Sequence, residues 1–306
     1  MSVDTLIHLA GAAAEQHGAF GSRTTYRVGG LARVVLRLDT AEQLSTLSGA
    51  IRACALPVVV LGNGSNLLVS DQEYNGIVLR LAGEFASVRW RDEGDSVVVD
   101  AGAAMNLPVV ARQLSDGAIV GFEWAVGVPG TMGGAAVMNA GGHGSDMAHS
   151  ICAVTTWSLS TDHVDQWTLD DLAYGYRRSA LGSSDVVTSV SLRLAHGSRD
   201  QSLSAIRDIV RWRREHQPGG ANAGSVFRNP AQRSAGALIE AAGLKGHRIG
   251  SAYVSAKHAN FIQVDTNGRA ADVVTLMNYV RDEVQRHSGV RLESELRTVG
   301  FEGEWS

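Results

Sequence analysis

The sequence is poor in several residue types, and each shortage excludes a class of protein. Only two of its 306 residues are cysteine, Cys54 and Cys152, and they lie far apart and outside any CxxC spacing. They exclude a disulfide scaffold and a cysteine-rich zinc site, and they indicate buried thiols in a reducing compartment. Lysine is represented only by Lys245 and Lys257, and the formal net charge of −4 gives no indication of a nucleic-acid or anionic-membrane partner.

Long apolar runs and familiar catalytic motifs are missing too. No stretch of about eighteen apolar residues is present to span a membrane. The opening "MSVDTLIHLAGAAAEQHG" lacks the basic region and unbroken apolar run of a secretory signal, so we expect a cytoplasmic protein without membrane insertion. The sequence contains no GxxxxGK[ST], HExxH or GxSxG pattern. These absences argue against P-loop nucleotide hydrolysis, zinc hydrolysis and serine-triad hydrolysis.

Glycine is abundant instead, with 35 residues. The segment "GFEWAVGVPGTMGGAAVMNAGGHG" (121–144) is the richest, and "RVGGLA" (27–32) and "LGNGSNLLVSD" (61–71) have the same character. Glycine loses more conformational freedom on folding than other residues, so such density indicates positive φ angles or a close approach of the backbone to something else. Turns of this composition present backbone N–H groups to phosphates. The three segments therefore indicate either a dinucleotide site or tight turns within an α/β fold.

Hydrophobic periodicity predicts the order of helices and strands along an α/β chain. Helices are predicted over 40–54 with Thr40 as N-cap, over 106–118, over 202–216, and over 270–289 with Gly289 at the C-terminus. Strands are predicted on either side of Gly29-Gly30 in 25–38, on either side of a glycine turn in 57–71, as three antiparallel strands in 76–102, in two runs that end near 195, and over 290–301. The polar connection 196–201 is the predicted domain boundary.

Several residues outside the glycine-rich segments are candidates for chemistry, each with a structural alternative. The hydroxyl of Ser225 lies among small residues and can face a cleft or cap its own turn. Arg177 and Glu295 can face a ligand or solvent. His143, within the glycine-rich segment, can touch a ligand or be solvated. The stretch 242–262 carries both lysines and suits an anionic, sugar-like or phosphate-bearing ligand.

Taken together, these segments resemble the UDP-N-acetylenolpyruvoylglucosamine reductase family. From Thr24 to Gly300 the motifs are, in order, "TTYRVGGLA", "LGNGSNLLVSD", "GFEWAVGVPGTMGGAAVMNAGGHG", "YRRSAL", "AGSVFRNP", "AGLKGHRIGSAYVSAKHANFI" and "ESELRTVG". "YRRSALGSSDVVTSVSLRL" continues directly into a predicted strand. The chain therefore resembles the shorter subclass, which lacks an inserted loop with a substrate-covering tyrosine.

The resemblance implies a fold and a set of ligands. The fold class is α/β (α+β): a two-subdomain FAD-binding fold of the vanillyl-alcohol-oxidase type, followed by a C-terminal α/β substrate-binding domain. We expect FAD-binding subdomains over 1–75 and 76–197 and the substrate-binding domain over 198–306. Non-covalent FAD, NADPH as hydride donor and UDP-N-acetylglucosamine enolpyruvate are the implied ligands, without a metal. We expect a monomer or a weak oligomer.

The resemblance also implies which residues bind the ligands. Those expected to bind FAD are Arg27, Val28, Gly29, Gly30, Leu61, Gly62, Asn63, Gly64, Ser65, Asn66, Gly127, Val128, Pro129, Gly130, Thr131, Gly133, Gly134, Asn139, Ala140 and Gly141. Those expected to bind the substrate are Tyr176, Arg213, Arg214, Asn229, Lys257 and His258.

The implied reaction has two halves. NADPH delivers hydride to flavin N5 and leaves, and the enolpyruvyl substrate then takes that hydride at C3 and a proton at C2. Arg177 and protonated Glu295 match the positions that stabilise the developing negative charge, and Ser225 matches the proton donor to C2. Glu293 remains an alternative to Glu295. Another flavin oxidase or dehydrogenase on the same scaffold, or a non-catalytic nucleotide-sensing protein, are the alternative functions.

Overall fold

The computed structural model describes residues 1–302. The chain forms two compact units, neither of which is continuous in sequence. Unit 1 comprises Met1–Gln16, Val34–Asn63 and Gly76–Arg213, and unit 2 comprises His17–Arg33, Gly64–Asn75 and the residues from Arg214 onward. The expected three-part division at 75/76 and 197/198 is contiguous in sequence, and it stays a prediction.

Within residues 1–302 the chain forms seven α-helices. They are α1 (Val3–Ala10), α2 (Ala41–Ala53), α3 (Leu107–Asp116), α4 (Met132–Met138), α5 (Arg199–His216), α6 (Ala235–Ala241) and α7 (Ala270–Ser288). The four helices predicted from periodicity are confirmed as α2, α3, α5 and α7. Helix α5 begins at Arg199, inside the connection that was predicted as a polar boundary.

The ends of these helices follow the capping chemistry of the sequence. Thr40 Oγ1 accepts a hydrogen bond from the Gln43 N–H at 3.1 Å at the start of α2, as predicted. Gly289 ends α7 with a φ of 72°, a conformation that disfavours residues with a Cβ. Asp71 caps the start of α7, since its two carboxylate oxygens accept from the N–H groups of Ala270 and Ala271 at 2.9 and 3.0 Å.

The described residues form seventeen β-strands, which range from two to twelve residues in length. They are β1 (Ala14–Ala19), β2 (Leu31–Leu38), β3 (Val58–Val60), β4 (Leu67–Val69), β5 (Tyr74–Leu81), β6 (Val88–Glu93), β7 (Ser96–Gly102), β8 (Ile119–Val120), β9 (Gly141–Gly142), β10 (Ser145–Asp146), β11 (Ile151–Ser158), β12 (His163–Thr168), β13 (Asp185–His196), β14 (Arg248–Ile249), β15 (Ala252–Val254), β16 (Ile262–Val264) and β17 (Arg297–Val299).

The core of unit 1 is built on an antiparallel sheet of order β12-β11-β13-β7-β6, with β8 paired to β13. Its apolar residues pack with those of α3, α4 and the glycine-rich segment into one buried cluster. A second sheet has the order β1-β2-β5-β3, and within it β3 and β5 are parallel. The prediction of three antiparallel strands over 76–102 is therefore partly wrong, because β5 lies in this second sheet and only β6 and β7 pair antiparallel.

Unit 2 is built from helices α6 and α7 and two small sheets. Strands β14, β15 and β16 form an antiparallel sheet, and β17 pairs with β4 in parallel. Its buried cluster includes Tyr26, Val28 and Leu68 from the early part of the chain, together with the apolar face of α7. Two strand predictions need correction here. The residues before Gly29-Gly30 form bends, and the closing strand covers only 297–299, because its neighbour β4 is only three residues long.

Two further expectations from the sequence concern membrane spans and the two cysteines. None of the helices within residues 1–302 is long and apolar enough to cross a bilayer. Cys54 and Cys152 are both half-buried, where the sequence predicted buried thiols.

Candidate functional site

Close packing accounts for part of the glycine-rich segment in unit 1. A Cβ on Gly133 would lie 2.9 Å from the Cβ of Ala103, so only glycine allows α4 to approach that residue. Gly134 is different, because its Cβ would meet only Thr131 Oγ1, at an ordinary 3.5 Å. Thr131 is the N-cap of α4, and its Oγ1 accepts a hydrogen bond from the Gly134 N–H. The backbone at Gly134 therefore lies next to open space.

A polar network fixes the C-terminal end of α4. Asn139 has a φ of 41°, and its side-chain Nδ2 donates to Asp146 Oδ2 at 3.3 Å and to the Gly175 carbonyl at 3.2 Å. Its Oδ1 accepts from the Ala148 N–H at 3.0 Å. The side chain of Asn139 therefore forms hydrogen bonds within the protein. Asp146, which sequence analysis did not single out, helps to orient this side chain.

Arg177 lies against this same segment. Its Nη1 donates to the Asn139 carbonyl at 3.3 Å, and its Nη2 donates to the Gly141 carbonyl at 3.1 Å. The guanidinium carbon is 4.9 Å from the ring centroid of Tyr176, which is itself exposed. Arg177 has a φ of 55°, which is unusual for a residue with a side chain. The structure thus brings a predicted catalytic residue together with two predicted cofactor-binding residues.

The loop 61–66 follows strand β3 and carries a run of unused hydrogen-bond donors. Within residues 1–302, none of the five backbone N–H groups from Gly62 to Asn66 donates to a protein acceptor. The loop is anchored in unit 1 by the Leu61 N–H, which donates to the Leu79 carbonyl, and by Asn63 Nδ2, which donates to Asn106 Oδ1 at 2.6 Å. Such a run of backbone amides suits an anion. Sequence analysis gave Asn106 no role in this loop, because it treated that residue only as the start of the predicted helix 106–118.

The end of this loop belongs to unit 2. Asn66 Nδ2 donates to the Glu295 carbonyl at 3.1 Å, and the Asn66 carbonyl accepts from the Arg297 N–H at 3.1 Å. The predicted segment 27–30 packs beside it, because the Gly30 N–H donates to the Ser70 carbonyl at 2.7 Å and Val28 lies in the unit 2 core. The glycine turns at 27–30 and 64–66 are therefore neighbours of strand β4.

Ser225 and Glu295 lie on neighbouring irregular segments of the chain in unit 2. The Glu295 N–H donates to the carbonyl of Val226 at 2.8 Å, and both Ser225 and Glu295 are half-buried. Glu293, the alternative acid, is exposed. These positions agree with the choice of Glu295, and the catalytic assignments stay predictions.

Asn260 holds the segment that carries Ser225. This buried amide donates from Nδ2 to the Phe227 carbonyl at 2.8 Å and accepts at Oδ1 from the Phe227 N–H at 3.0 Å. Its own carbonyl accepts from the Val226 N–H at 2.9 Å. Sequence analysis quoted Asn260 within "SAKHANFI" but gave it no role. A buried asparagine beside apolar residues was the available indication, since such a side chain needs partners.

The remaining predicted substrate residues have individual protein contacts. Lys257 Nζ donates to the Arg214 carbonyl at 2.5 Å, and Asn229 Oδ1 accepts from the Ala235 N–H at the start of α6. His258 Nδ1 accepts from the Asn260 N–H at 3.3 Å, and burial lowers the pKa of His258. Arg213 lies in unit 1, where burial lowers its pKa. Asn229 therefore bonds to the first residue of α6, and Lys257 bonds to a carbonyl in the last turn of α5.

Comparison with known proteins was made on the whole chain. The family model described as UDP-N-acetylenolpyruvoylglucosamine reductase, C-terminal domain, matches residues 216–299, and the one described as FAD binding domain matches residues 32–161. UDP-N-acetylenolpyruvoylglucosamine reductase 2 of Symbiobacterium thermophilum is 42% identical over 280 residues, covering 90% of this chain and 89% of its own. The chain belongs to the UDP-N-acetylenolpyruvoylglucosamine reductase family.

Other members of the reductase family agree over similar lengths. The reductase of Synechococcus sp. strain RCC307 is 39% identical, with 92% of each chain covered. The crystal structure of UDP-N-acetylenolpyruvylglucosamine reductase from Thermus caldophilus superposes with a TM-score of 0.79 at 34% identity, covering 94% of this chain and 98% of that one. The resemblance stated from the sequence and the predicted fold class are both confirmed.

Proposed function

We propose that this chain is an FAD-dependent reductase that uses NADPH to convert UDP-N-acetylglucosamine enolpyruvate to UDP-N-acetylmuramate, a peptidoglycan precursor, in the cytoplasm. The observation that supports the proposal is the sequence identity of 42% to a named reductase, over 90% of this chain. The reaction adds two hydrogens across a carbon–carbon double bond, so a redox cofactor, a stabiliser of negative charge and a proton donor are needed.

The residues of the glycine-rich loops fit FAD. The unused N–H donors of residues 62–66 suit the diphosphate of a dinucleotide, and the open space beside Gly134 leaves room next to the backbone. FAD, when bound, supplies a hydride acceptor and donor that a side chain cannot provide. The residues proposed to hold it are those of the segments 27–30, 61–66 and 127–141.

Arg177 and Glu295 are proposed to stabilise charge on the substrate. Hydride addition at C3 of the enolpyruvyl group places negative charge on C2 and its carboxylate, and the guanidinium of Arg177 is the natural partner for that charge. Two of its five N–H donors are used by the carbonyls of Asn139 and Gly141, which orient the group. Glu295 acts as a protonated acid that donates a hydrogen bond to the same charge.

Ser225 is proposed to donate the proton to C2. An alcohol is a weak acid, so it must be held next to the carbanion that it protonates. The support for this role is the rigid backbone around Ser225, where Asn260 bonds to both Val226 and Phe227. After the transfer the serine oxygen recovers a proton from solvent, and the double bond has gained one hydrogen at C3 and one at C2.

The proposed partners are small molecules: NADPH and the sugar nucleotide. Tyr176, Arg213, Arg214, Lys257 and His258 supply cations and rings suited to phosphate, carboxylate and sugar groups. The chain is proposed to act as a monomer or a weak oligomer.

Product formation tests the proposal. Purified protein is incubated with FAD, NADPH and UDP-N-acetylglucosamine enolpyruvate, and the products are separated and weighed by mass spectrometry. We expect a product heavier than the substrate by two hydrogen atoms, formed in step with NADPH oxidation. Oxidation of NADPH without this product, with oxygen consumed instead, would identify a flavin oxidase and reject the proposal.

A further inference from the structure

The direction of the Arg177 guanidinium depends on two separate segments of unit 1. Arg177 lies in a tight turn, in which the N–H and carbonyl groups of Gly175 and Arg178 bond to each other at 3.1 and 3.2 Å. Its Nη atoms donate to the carbonyls of Asn139 and Gly141, which belong to the glycine-rich segment. The guanidinium is therefore placed by whatever joins the turn 175–178 to the segment 139–141.

The side chain of Asn139 joins these two segments. Its Nδ2 donates to the Gly175 carbonyl at 3.2 Å, at the start of the turn that carries Arg177, while the Asn139 carbonyl accepts from Arg177 Nη1. Asn139 is buried and has a φ of 41°, so its backbone has little freedom to move. A 180° flip of its amide would place the side-chain oxygen against the Gly175 carbonyl, and two acceptors would then face each other.

Asp146 determines which way this amide faces. Its Oδ2 accepts from Asn139 Nδ2 at 3.3 Å, and a carboxylate oxygen can only accept. On the other side of the amide, the Ala148 N–H donates to Asn139 Oδ1 at 3.0 Å. Asp146 Oδ1 lies 2.7 Å from His149 Nδ1, so the carboxylate is itself held in place. The amide of Asn139 is therefore satisfied in one orientation only.

Asp146 also fixes the second carbonyl to which Arg177 bonds. Asp146 and Gly141 are paired in the antiparallel register of β9 and β10. A Cβ on Gly141 would lie 2.6 Å from the Cβ of Asp146, so the two residues approach this closely only because residue 141 is glycine. The Gly141 carbonyl accepts from Arg177 Nη2 at 3.1 Å. One residue thus orders both acceptors of the guanidinium, the first through its carboxylate and the second through its backbone.

We propose that Asp146 is a positioning residue that orients the Arg177 guanidinium toward the enolpyruvyl carboxylate, acting through Asn139 and Gly141. The inference rests on the proposed function, in which Arg177 stabilises the negative charge that develops on the substrate. A guanidinium that is already oriented stabilises this charge without reorganising as the charge forms. The role of Asp146 is indirect and requires no contact with the substrate.

Two substitutions of Asp146 in the FAD-loaded protein test this role. Asp146→Leu removes both acceptor oxygens and keeps much of the side-chain volume, whereas Asp146→Asn removes the charge and keeps one oxygen that can accept from Asn139. Asp165→Leu, at an exposed position in β12, is the matched control. Stopped-flow absorbance follows the two flavin steps, and far-UV circular dichroism monitors folding.

A spectroscopic measurement reports on the guanidinium without any turnover. Hydrogen bonds slow the rotation of a guanidinium, so the Nη–H signals of Arg177 should be resolved by NMR in the wild type. Their loss in Arg177→Lys assigns them. These signals show directly whether a change at residue 146 reaches Arg177.

We expect Asp146→Leu to lose the resolved Arg177 signals and to slow flavin reoxidation at saturating enolpyruvyl substrate by about 10-fold, the worth of one misplaced hydrogen-bonding group. The substrate concentration for half-maximal rate should change less than about threefold, because the charge on C2 develops only in the transition state. Flavin reduction by NADPH should keep the wild-type rate. Asp146→Asn should restore most of both losses, since the acceptor rather than the charge orients Asn139.

A folded Asp146→Leu protein that is reoxidised at the rate of the Asp165→Leu control would overturn the inference. Slower reoxidation with unchanged Arg177 signals would also overturn it, because Asp146 would then act by another route. Equal slowing of both flavin steps would contradict it as well. A wild-type protein that forms no UDP-N-acetylmuramate would reject the proposed function instead, and the Arg177 signals would still show whether Asp146 orients the guanidinium.

Discussion

At the scale of single residues, the side chain of Arg177 and the backbone beside Ser225 are each held by hydrogen bonds within the protein. Arg177 bonds to two carbonyls of the glycine-rich segment, and the chain at Ser225 is fixed by the buried amide of Asn260. A catalytic group that is already oriented loses little entropy when the substrate binds. The positive φ of Arg177 is consistent with this, since such strain is retained where the surrounding structure determines it.

Arg177→Lys tests whether the reaction needs the planar set of N–H donors of the guanidinium as well as its positive charge. Lysine keeps the positive charge but cannot reach both carbonyls and the substrate in one plane. We expect flavin reduction by NADPH to be unchanged and transfer to the enolpyruvyl substrate to slow by about 10- to 100-fold. Anaerobic stopped-flow absorbance of the flavin separates the two steps. Arg178→Lys, at an exposed neighbour, is the control. Loss of bound FAD in Arg177→Lys alone would show that the residue serves cofactor retention.

Asp272 should make unit 2 sensitive to acid. Hydrogen bonds from the Ser251 hydroxyl, at 2.7 Å, and from the Ser251 N–H, at 2.8 Å, hold the pKa of Asp272 below its usual range. Because the folded pKa lies below the unfolded value of about 4, this stabilisation is fully present above that pH and is lost as the pH falls through the folded pKa. Urea unfolding of wild type and Asp272→Asn should differ at neutral pH and converge in strong acid. An equal difference at both pH values would contradict this account.

At the scale of elements, short strands and long helices in unit 2 depend on contacts from distant segments. Helix α7 lacks a side-chain cap from its own N-cap residue, Arg269. Asp71, which follows β4, provides the cap instead, and the parallel pair of β4 and β17 joins the same early segment to the end of the chain. The segment 64–75 is thus a structural part of unit 2 as well as a predicted ligand loop.

Asp71→Ala should therefore destabilise unit 2. The substitution leaves two N–H groups at the start of α7 without acceptors and removes a negative charge from the positive end of the helix dipole. We expect the free energy of unfolding to fall by about 1–2 kcal/mol, measured by chemical denaturation. Asp95→Ala, at an exposed position in the β6–β7 turn, should change it little. A normal stability in Asp71→Ala would mean that water replaces the cap without loss.

At the scale of the whole molecule, two discontinuous units are assembled from alternating segments of the chain. The FAD binding domain match lies within residues 32–161, and the reductase C-terminal domain match lies within residues 216–299. Loop 61–66 includes one of the points at which the chain passes from one unit to the other, between Asn63 and Gly64. Hydrogen bonds hold this predicted ligand loop at both ends, through Leu61 in unit 1 and through Asn66 in unit 2.

The purified molecule should carry FAD without a covalent bond. Heat or acid should release the flavin into a protein-free filtrate, where chromatography identifies it as FAD, and the mass of the remaining chain should equal that of the sequence. Added FAD should also raise the midpoint of thermal unfolding, since a ligand that binds only the folded state stabilises it. Flavin that remains with the denatured chain, or a filtrate that contains FMN, would contradict the assignment of the glycine-rich loops.

Sequence patterns predicted local structure well and long-range pairing poorly. Helices α2 and α7 followed from periodicity and from Thr40 and Gly289, because those signals lie within a few residues of the element. The separation of β5 from β6 did not follow, since strand pairing depends on contacts with distant residues. The role of Asn260 was also out of reach. It depends on bringing together segments more than 30 residues apart, for which one sequence offers no local indication.

The most direct test of the central claim is a comparison of wild type with Ser225→Ala in two successive anaerobic mixing steps. NADPH is mixed with the oxidised FAD-loaded protein first, and UDP-N-acetylglucosamine enolpyruvate is mixed with the reduced protein second, while flavin absorbance is followed. The account predicts that the variant is reduced at the wild-type rate and reoxidised about 10²–10⁴-fold more slowly, because only the second step needs the proton. Equal slowing of both steps, or normal reoxidation of the variant, would contradict it.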